Sequence, residues 1–198
     1  DNGWTMNTDG QLTGVSIDAL FKAFSNFGQN TLTSEQLNGR LNANFDLHLP
    51  MDADLSTRLA ELTVDASTEL LEAELSHFQP LYALADHVQL DELSRLRIDR
   101  HIQKWSIAGQ QVRLEKSLWK SNAIEVEMSG SHDFNNRIDY RFKLPAHRVI
   151  NKKKRKMDQE LSEFLVEVQE RKVPSIYLMV TGELSDPQVA LDKEALRS

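Results

Sequence analysis

The chain contains no cysteine, which excludes disulfide bonds, thiolate nucleophiles and cysteine-based zinc sites. No stretch approaches the roughly 20 consecutive apolar residues that a membrane-spanning helix needs. The 8 glycines are dispersed along the chain, and none belongs to a glycine-rich loop of the kind that binds phosphate. These absences remove several classes of enzyme. They leave the compartment open, because a cysteine-free chain is compatible with an oxidising periplasm and with the cytosol.

The chain also has fewer basic residues than acidic ones. The 23 Lys and Arg residues are outnumbered by 30 Asp and Glu residues, and the formal net charge is −7. This balance argues against general nucleic-acid binding. A length of 198 residues suits one domain with a sizeable core, and we expect a single domain over residues 1–198. We also expect the chain, which starts at Asp1, to be a fragment or mature product of a longer protein.

Residues 37–49 alternate without a fault between apolar and polar side chains. Leu37, Leu41 and Phe45 belong to the apolar set, and Asn38 and Asn44 belong to the polar set. A period of two puts successive side chains on opposite faces of a strand. At about 3.3 Å per residue the segment would extend for roughly 40 Å, which is long for a strand. The pattern therefore predicts one strand of a large antiparallel sheet with a single apolar face.

The alternation recurs in three further regions, over residues 62–75, 98–144 and 176–191. Within the first of these it slips by one residue at Leu70, which indicates a β-bulge or a hairpin corner. Tight turns are expected where Gly, Asn or Pro interrupts the pattern, at positions 109–110, 135–136 and 186–187. These segments supply enough strands for an extensive sheet.

Three segments have the spacing of amphipathic helices instead: residues 16–27, 78–96 and 157–171. Ser16 is a suitable N-cap for the first of them. Residues 1–15 are polar and are interpreted as a strand end or a frayed lead. The combined pattern predicts an α+β fold, in which two or three amphipathic helices pack on a long, curved antiparallel sheet.

Candidate catalytic groups are sparse. Ser131, His132 and Asp133 are consecutive, but neighbouring side chains on a strand point apart and cannot form a nucleophile–base–orienter chain. Glu125 and Glu127 share a strand face about 7 Å apart, yet a solvated face gives the same pattern. We therefore expect no catalytic residue, no metal site and no cofactor, and we expect that the chain is not an enzyme. A hydrolase is a weak third option.

A run of basic residues precedes the third predicted helix. Each cation near an anionic membrane surface contributes on the order of 1 kcal/mol to binding, although a solvated helix start gives the same pattern and is favoured. The candidates for contact with headgroups or a partner are Lys152, Lys153, Lys154, Arg155 and Lys156. Together with the helix they define a charged amphipathic insertion over residues 151–172.

Four segments in this order resemble the C-terminal region of AsmA-like envelope proteins of the Bacteroidetes type. They are residues 21–47 (FKAFSNFGQNTLTSEQLNGRLNANFDL), 69–98 (ELLEAELSHFQPLYALADHVQLDELSRLRI), 121–144 (SNAIEVEMSGSHDFNNRIDYRFKL) and 176–192 (IYLMVTGELSDPQVALD). The closing G-x-x-x-D-P-x-V pattern resembles one shared by the wider AsmA/TamB group; here it comprises Gly182, Asp186, Pro187 and Val189. The insertion at 151–172 departs from the family, in which a flexible linker is expected.

The resemblance implies a location and a function. AsmA-like proteins are held in the inner membrane of Gram-negative bacteria by an N-terminal helix, and the rest of the protein lies in the periplasm. They belong to the bridge-like lipid-transfer proteins, which build a curled antiparallel sheet with an apolar groove. The resemblance therefore implies a part in phospholipid transfer and outer-membrane homeostasis. It implies an anchor outside this chain and no catalytic residues.

Two interpretations of the apolar strand faces stay open from the sequence. In the first, the faces line a lipid groove whose non-directional contacts let acyl chains slide. In the second, the predicted helices close the sheet into an ordinary α+β core, and the domain is a structural or protein-interaction module of an envelope assembly protein. The candidate groove residues are Leu41, Phe45, Leu47, Leu62, Val64, Ile124, Val126, Met128, Tyr140 and Phe142.

Overall fold

A computed structural model describes residues 3–28, 30–83, 95–122, 124–145 and 175–195 of the chain. In these residues, nine strands form one curved antiparallel sheet, and each strand pairs with its neighbours in sequence. The strands are β1 (Trp4–Ser16), β2 (Leu37–Met51), β3 (Thr63–Ser76), β4 (Arg95–Ala108), β5 (Gln111–Lys120), β6 (Glu125–Asp133), β7 (Arg137–Pro145), β8 (Ser175–Glu183) and β9 (Asp186–Leu191). The predicted long antiparallel sheet is confirmed.

Strand β2 confirms the predicted strand and its phase. Leu37, Leu41 and Ala43 are buried, whereas Asn38 and Asn44 are exposed. The strand also runs beyond position 49, because it continues to pair with β1 as far as Met51. One side of β2 therefore faces the core and the other faces solvent, as a period of two requires.

The predicted slip near Leu70 is a β-bulge. The register between β2 and β3 shifts between Asn38 and Arg40, and Glu72 has a φ of 49°. As a result, Leu70 and Ala73 are both buried although they are three positions apart. A bulge bends a strand and increases its twist, and further register shifts follow Leu12 and Leu114. These irregularities contribute to the curvature of the sheet.

Two of the three predicted turns are confirmed. Gly109 and Gln110 have φ values of 57° and 61° and connect β4 to β5, which is the left-handed pair that a two-residue hairpin requires. Asn136, with a φ of 65°, lies in the turn between β6 and β7. In both turns a local backbone preference, read from the sequence, sets the hairpin.

The third predicted turn was misplaced by two residues. Asp186 and Pro187 lie within β9, where they pair with Glu183 and Gly182, and residues 184–185 form the turn. Proline lacks a backbone N–H, so it is tolerated in an edge strand such as β9. The proline signal therefore marked an edge strand and not the turn.

The helix content is lower than predicted. The longer helix of the described residues is α1 (Ile17–Ala23), which ends early because Ser25 and Asn26 adopt φ values of 50° and 54°. Ser16 precedes α1, but its hydroxyl bonds the carboxylate of Asp18 and makes no cap. In the described residues the prediction of an α+β fold with two or three helices is therefore wrong, and a mostly β sheet with one short helix replaces it.

Within the described part of residues 78–96, the predicted helix is seen as the single turn α2 (Gln79–Tyr82). Its last two positions belong to β4, which begins at Arg95. Residues 84–94 and the predicted insertion at 151–172 lie outside the described residues.

The N-terminal segment is strand β1 and not a frayed lead. Trp4, Met6, Thr8, Gly10 and Leu12 share one face, because they pair with the apolar-face residues of β2. Thr8 and Gly10 stand where large apolar side chains would have completed the alternation. Because these two residues are small, the sequence does not show the alternation of a strand here. Pairing with β2 nevertheless forms one.

Candidate functional site

One face of the sheet carries all ten candidate groove residues. Leu41 pairs with Leu70, Leu47 with Val64, and Met128 with Phe142, and directly opposite residues share a face. Leu62 and Ile124 precede β3 and β6 in the same phase. The sequence therefore identified the apolar face of the sheet correctly across distant strands.

Six of the ten candidates lie in a closed core. Their side chains are at most 5% exposed: Leu41, Ile124, Val126, Met128, Tyr140 and Phe142. The Tyr140 ring makes an edge contact with Phe78 at 5.6 Å between centroids and stacks on Phe142 at 6.2 Å. Interlocked rings of this kind hold a core together. This closed part of the apolar face is therefore structural in the folded chain.

The apolar face is open at its other end. Trp4 is 61% exposed and Met6 is 41% exposed. The neighbouring Phe45, Leu47, Leu49 and Val64 are half-buried. The register from Trp4–Met51 to Gly10–Phe45 makes these side chains contiguous. We call this set the open apolar area: Trp4, Met6, Phe45, Leu47, Leu49 and Val64.

A buried polar cluster interrupts the apolar face between these two parts. The hydroxyl of Ser117 donates to Oε1 of Gln103 at 2.6 Å, and Nε2 of Gln103 donates to the carbonyls of Lys104 and Glu115 at 2.7 and 2.8 Å. His101 stacks on Trp119 at 4.0 Å between ring centroids. Because the amide of Gln103 is fully bonded within the protein, this cluster has a structural role.

Burial governs the protonation of His101. Its side chain is 5% exposed, and burial lowers its pKa, although a hydrogen bond to Gln103 partly opposes that shift. The imidazole is therefore neutral at neutral pH. A neutral ring suits its place against Trp119 in the sheet interior.

The consecutive residues Ser131, His132 and Asp133 do not form a catalytic triad. His132 lies on the apolar face, where its Nδ1 atom is 2.8 Å from the Tyr140 hydroxyl. Ser131 and Asp133 pair with Asp139 and Gln111 on the polar face. Their side chains therefore point away from the imidazole, as the period of the strand predicts.

The two glutamates considered for acid–base chemistry form surface ion pairs. Glu125 lies 3.4 Å from the ammonium of Lys120, and Glu127 lies 3.5 Å from that of Lys116. Both pairs join neighbouring strands across the polar face. This arrangement matches the interpretation of these carboxylates as part of a solvated strand face.

Two cavities lie mainly along the polar face. One, of about 700 Å³, is lined mostly by polar-face residues of β1 to β5 and includes Asp9, Asp46, Asp65 and Lys104. The other, of about 330 Å³, includes Arg141 and the half-buried Tyr177. Arg141 bonds Asp192 at 3.1 Å. Charged groups line both cavities, so neither resembles a site for an acyl chain.

No protein-family model matches this chain, and no curated protein or solved structure is similar enough to register as a match. Within the described residues, no helix has the length and apolar character to cross a bilayer. The same part of the chain contains no cluster of His, Asp and Glu that could hold a metal ion.

The candidate groove residues include Phe45, Leu47 and Val64 of the open apolar area but omit Trp4, Met6 and Leu49. Trp4 and Met6 lie in the polar segment that is interpreted from the sequence as a strand end or a frayed lead, although they alternate with Thr5 and Asn7 as the residues of a full strand do. The polar cluster around Gln103 was also missed. A polar residue at an apolar position of an alternating strand looks the same in the sequence as an interruption of the alternation. The basic residues 152–156 lie outside the described part of the chain, so their role stays a prediction.

Proposed function

We propose that this chain is a non-enzymatic lipid-binding domain of the bacterial cell envelope. The supporting observation is the open apolar area, which includes a tryptophan that is 61% exposed. Exposed apolar patches that adjoin a packed core are typical of interaction or ligand-binding sites. In this proposal the area holds the acyl chains of a phospholipid during transfer between membranes.

The dimensions of the area suit an acyl chain. From Phe45 to Met51 the strand extends for about 20 Å, at about 3.3 Å per residue. Each buried methylene contributes about 0.8 kcal/mol, so even partial coverage of one chain gives substantial binding. The contacts are non-directional and allow the chain to slide along the sheet, as a transfer protein requires.

The resemblance to AsmA-like proteins extends the proposal to location and partners. We propose a periplasmic domain that is anchored in the inner membrane of a Gram-negative bacterium by a segment outside this chain. Its function there would support outer-membrane homeostasis. The basic residues 152–156 would contact anionic headgroups or an envelope protein.

Lipid analysis tests the proposal directly. Mass spectrometry of gently purified protein should detect bound phospholipid. Phe45→Asp places a charge in the open apolar area and should remove that lipid, while the protein stays folded because Phe45 is only half-buried. The matched control is Asn44→Asp on the polar face, which should retain lipid. Absence of lipid from the unmodified protein, or equal retention in both variants, would refute the proposal.

A second candidate function is a closed protein-interaction module. The observation that favours it is the burial of Leu41, Val126 and Phe142, which are at most 5% exposed. If the folded protein carries no lipid and does not acquire any from phospholipid vesicles, this second candidate replaces the first. Both proposals exclude catalysis, and hydrolysis of ester substrates that is lost in a His132→Gln variant would contradict both.

A further inference from the structure

The paired register between strands β4 and β5 stops a short way from the hairpin that joins them. It covers residues 105–108 of β4 and 111–114 of β5. Beyond these residues, β4 still pairs with β3 as far as its first residue, and β5 still pairs with β6 as far as its last. We call the stretch where the two strands face each other outside the paired register the β4–β5 seam: residues 98–104 of β4 and 115–120 of β5.

Side chains hold the seam together. Nε2 of Gln103 donates to the carbonyl of Glu115 at 2.8 Å, and the hydroxyl of Ser117 donates to Oε1 of Gln103 at 2.6 Å. Beyond the far end of the seam, the backbone N–H of Arg97 donates to Oδ1 of Asn122 at 2.8 Å. The polar cluster on the apolar face therefore bridges two strands at the point where their register has ended.

The closed seam leaves one polar group without a partner. Nε1 of Trp119 is buried, and within the described residues it makes no hydrogen bond. A buried donor of this kind loses its bond to water and gains nothing in return. Water that entered between the strands would restore that bond. It would also hydrate the side chains of Gln103 and Ser117, so parting the strands here costs less than parting two fully paired strands.

We infer that the sheet opens locally along the β4–β5 seam while its other strands stay paired. Segments with few backbone pairs open before the strands of a continuous ladder. The contact between Phe78 and Tyr140 keeps the two halves of the sheet packed on each other during such an opening. The parted strands give access from the polar face to Trp119, which pairs with Val126 of the core.

Chemical modification of two histidines measures the opening. His101 lies in the seam and His132 lies in the closed part of the apolar face, and each is 5% exposed. Diethyl pyrocarbonate modifies neutral imidazole, and peptide mass spectrometry gives a rate for each residue. The rate at His132 should rise steeply with urea below the unfolding transition, because it requires global unfolding. The rate at His101 should hardly change, because a local opening exposes little surface.

Two variants separate local opening from global unfolding. Ser117→Ala removes a bond that closes the seam and should raise the rate at His101 about fivefold, the usual effect of losing one hydrogen bond. Ile176→Val weakens the core three strands away from β5 and should raise the rate at His132 several-fold. It should leave the rate at His101 unchanged, because its contacts persist when only the seam opens. Equal urea dependence at the two histidines, or an equal response of both to Ile176→Val, would overturn the inference.

A cross-link tests the opening and its consequence for lipid. Ile102 and Leu118 lie on the polar face of the seam and are 53% and 47% exposed. The chain has no cysteine, so Ile102→Cys combined with Leu118→Cys lets a short bis-thiol reagent join the two strands. The cross-link should remove the urea-independent modification of His101. It should also slow the uptake of phospholipid from vesicles of phosphatidylethanolamine and phosphatidylglycerol, an effect that rests on the proposed function.

The matched control is Ser106→Cys combined with Arg113→Cys. These residues face each other in the paired part of the same two strands, so their cross-link should change neither rate. An unchanged rate at His101 in the cross-linked seam variant would overturn the opening. Loss of that modification with unchanged uptake would overturn the entry of lipid through the seam. Absence of uptake before cross-linking would refute the proposed function, and the histidine rates would still decide whether the seam opens.

Discussion

The Nδ1 atom of His132 lies 2.8 Å from the hydroxyl oxygen of Tyr140, in the closed part of the apolar face. Among the residues that the structure describes, the other ring nitrogen of His132 has no hydrogen-bond partner. Burial lowers the pKa of His132 to about 4, and the nearby charge of Asp133 only partly opposes that shift. Burial also raises the pKa of Tyr140. The two groups are therefore neutral over the physiological range.

Stability should consequently fall in mild acid. The pKa of His132 is about 4 in the folded chain, against an ordinary 6.5 in the unfolded chain. Between these values the unfolded chain binds a proton that the folded chain excludes. The free energy of unfolding therefore has its full value above the pKa of the unfolded chain. It decreases as the pH falls towards the pKa of the folded chain, by about 3 kcal/mol in total. Urea unfolding at several pH values measures this loss.

An NMR titration of the His132 ring protons isolates the contribution of that residue, because His101 also has a lowered pKa. The titration midpoint should lie far below that of an exposed histidine. A midpoint near the ordinary value for histidine would show that the ring is hydrated, and that the acid loss arises elsewhere.

Burial decreases along β2 from Leu41 to Leu47, so the same substitution should reduce stability by different amounts at these two positions. Leu41 is 5% exposed and belongs to the core, whereas Leu47 is half-buried in the open apolar area. Leu41→Asp should therefore prevent folding, because it buries a charge without a partner. Leu47→Asp leaves its carboxylate near water and should cost about 1–2 kcal/mol. Circular dichroism and urea unfolding compare the two variants. Equal losses of stability would contradict the division of the apolar face into a closed part and an open part.

Gly130 is required by the packing of β6 against β7. Its φ is 155°, and a Cβ at this position would lie 2.7 Å from the Cα of the facing Tyr140. Gly130→Ala should therefore cost about 2–4 kcal/mol, because backbone atoms cannot move aside as a flexible side chain can. Thermal unfolding measures the change.

The matched control for that variant is Gly14→Ala. Gly14 also has a positive φ, of 63°, but a Cβ there would meet nothing within 4 Å. Its cost should be limited to the left-handed backbone conformation, about 1 kcal/mol. A Gly130 variant no less stable than the Gly14 variant would show that β6 and β7 are not so closely paired.

Three aspartates face one another across adjacent strands of the polar face. Asp46 pairs with Asp9 on one side and with Asp65 on the other. Like charges directly opposite each other destabilise a sheet, and opposite charges stabilise it by roughly 0.2–1 kcal/mol for each pair. Asp46→Lys should therefore raise the melting temperature by a few degrees.

Salt provides the check on the cause of that effect. The stabilisation should shrink at high ionic strength, because salt screens exposed charges. His48→Lys introduces the same residue two positions along the same polar face, where the facing residues are Asn7 and Thr63, and it should gain less stability. A gain in Asp46→Lys that does not depend on salt would rule out charge repulsion as its origin.

Local regularities made much of the fold predictable. The faultless alternation of residues 37–49 assigned Leu41 and Phe45 to one face without any knowledge of the neighbouring strands. Gly109 and Asn136 marked turns, because these residue types adopt a positive φ at low cost. The helix over 78–96 was predicted by the same logic. That prediction is wrong at the end of the segment, because Leu96 pairs with β3 and belongs to strand β4.

The sequence by itself determined which side chains share a face, because the period of two is a property of each strand alone. Tertiary structure decided which part of that face is covered. Leu41 and Leu47 have the same chemistry and the same phase, yet one is in the core and the other borders solvent. Coverage depends on the elements that pack from distant parts of the chain, such as Ile17 and Phe78 in the common core. No local pattern records such contacts, so the open apolar area could be found only in the folded chain.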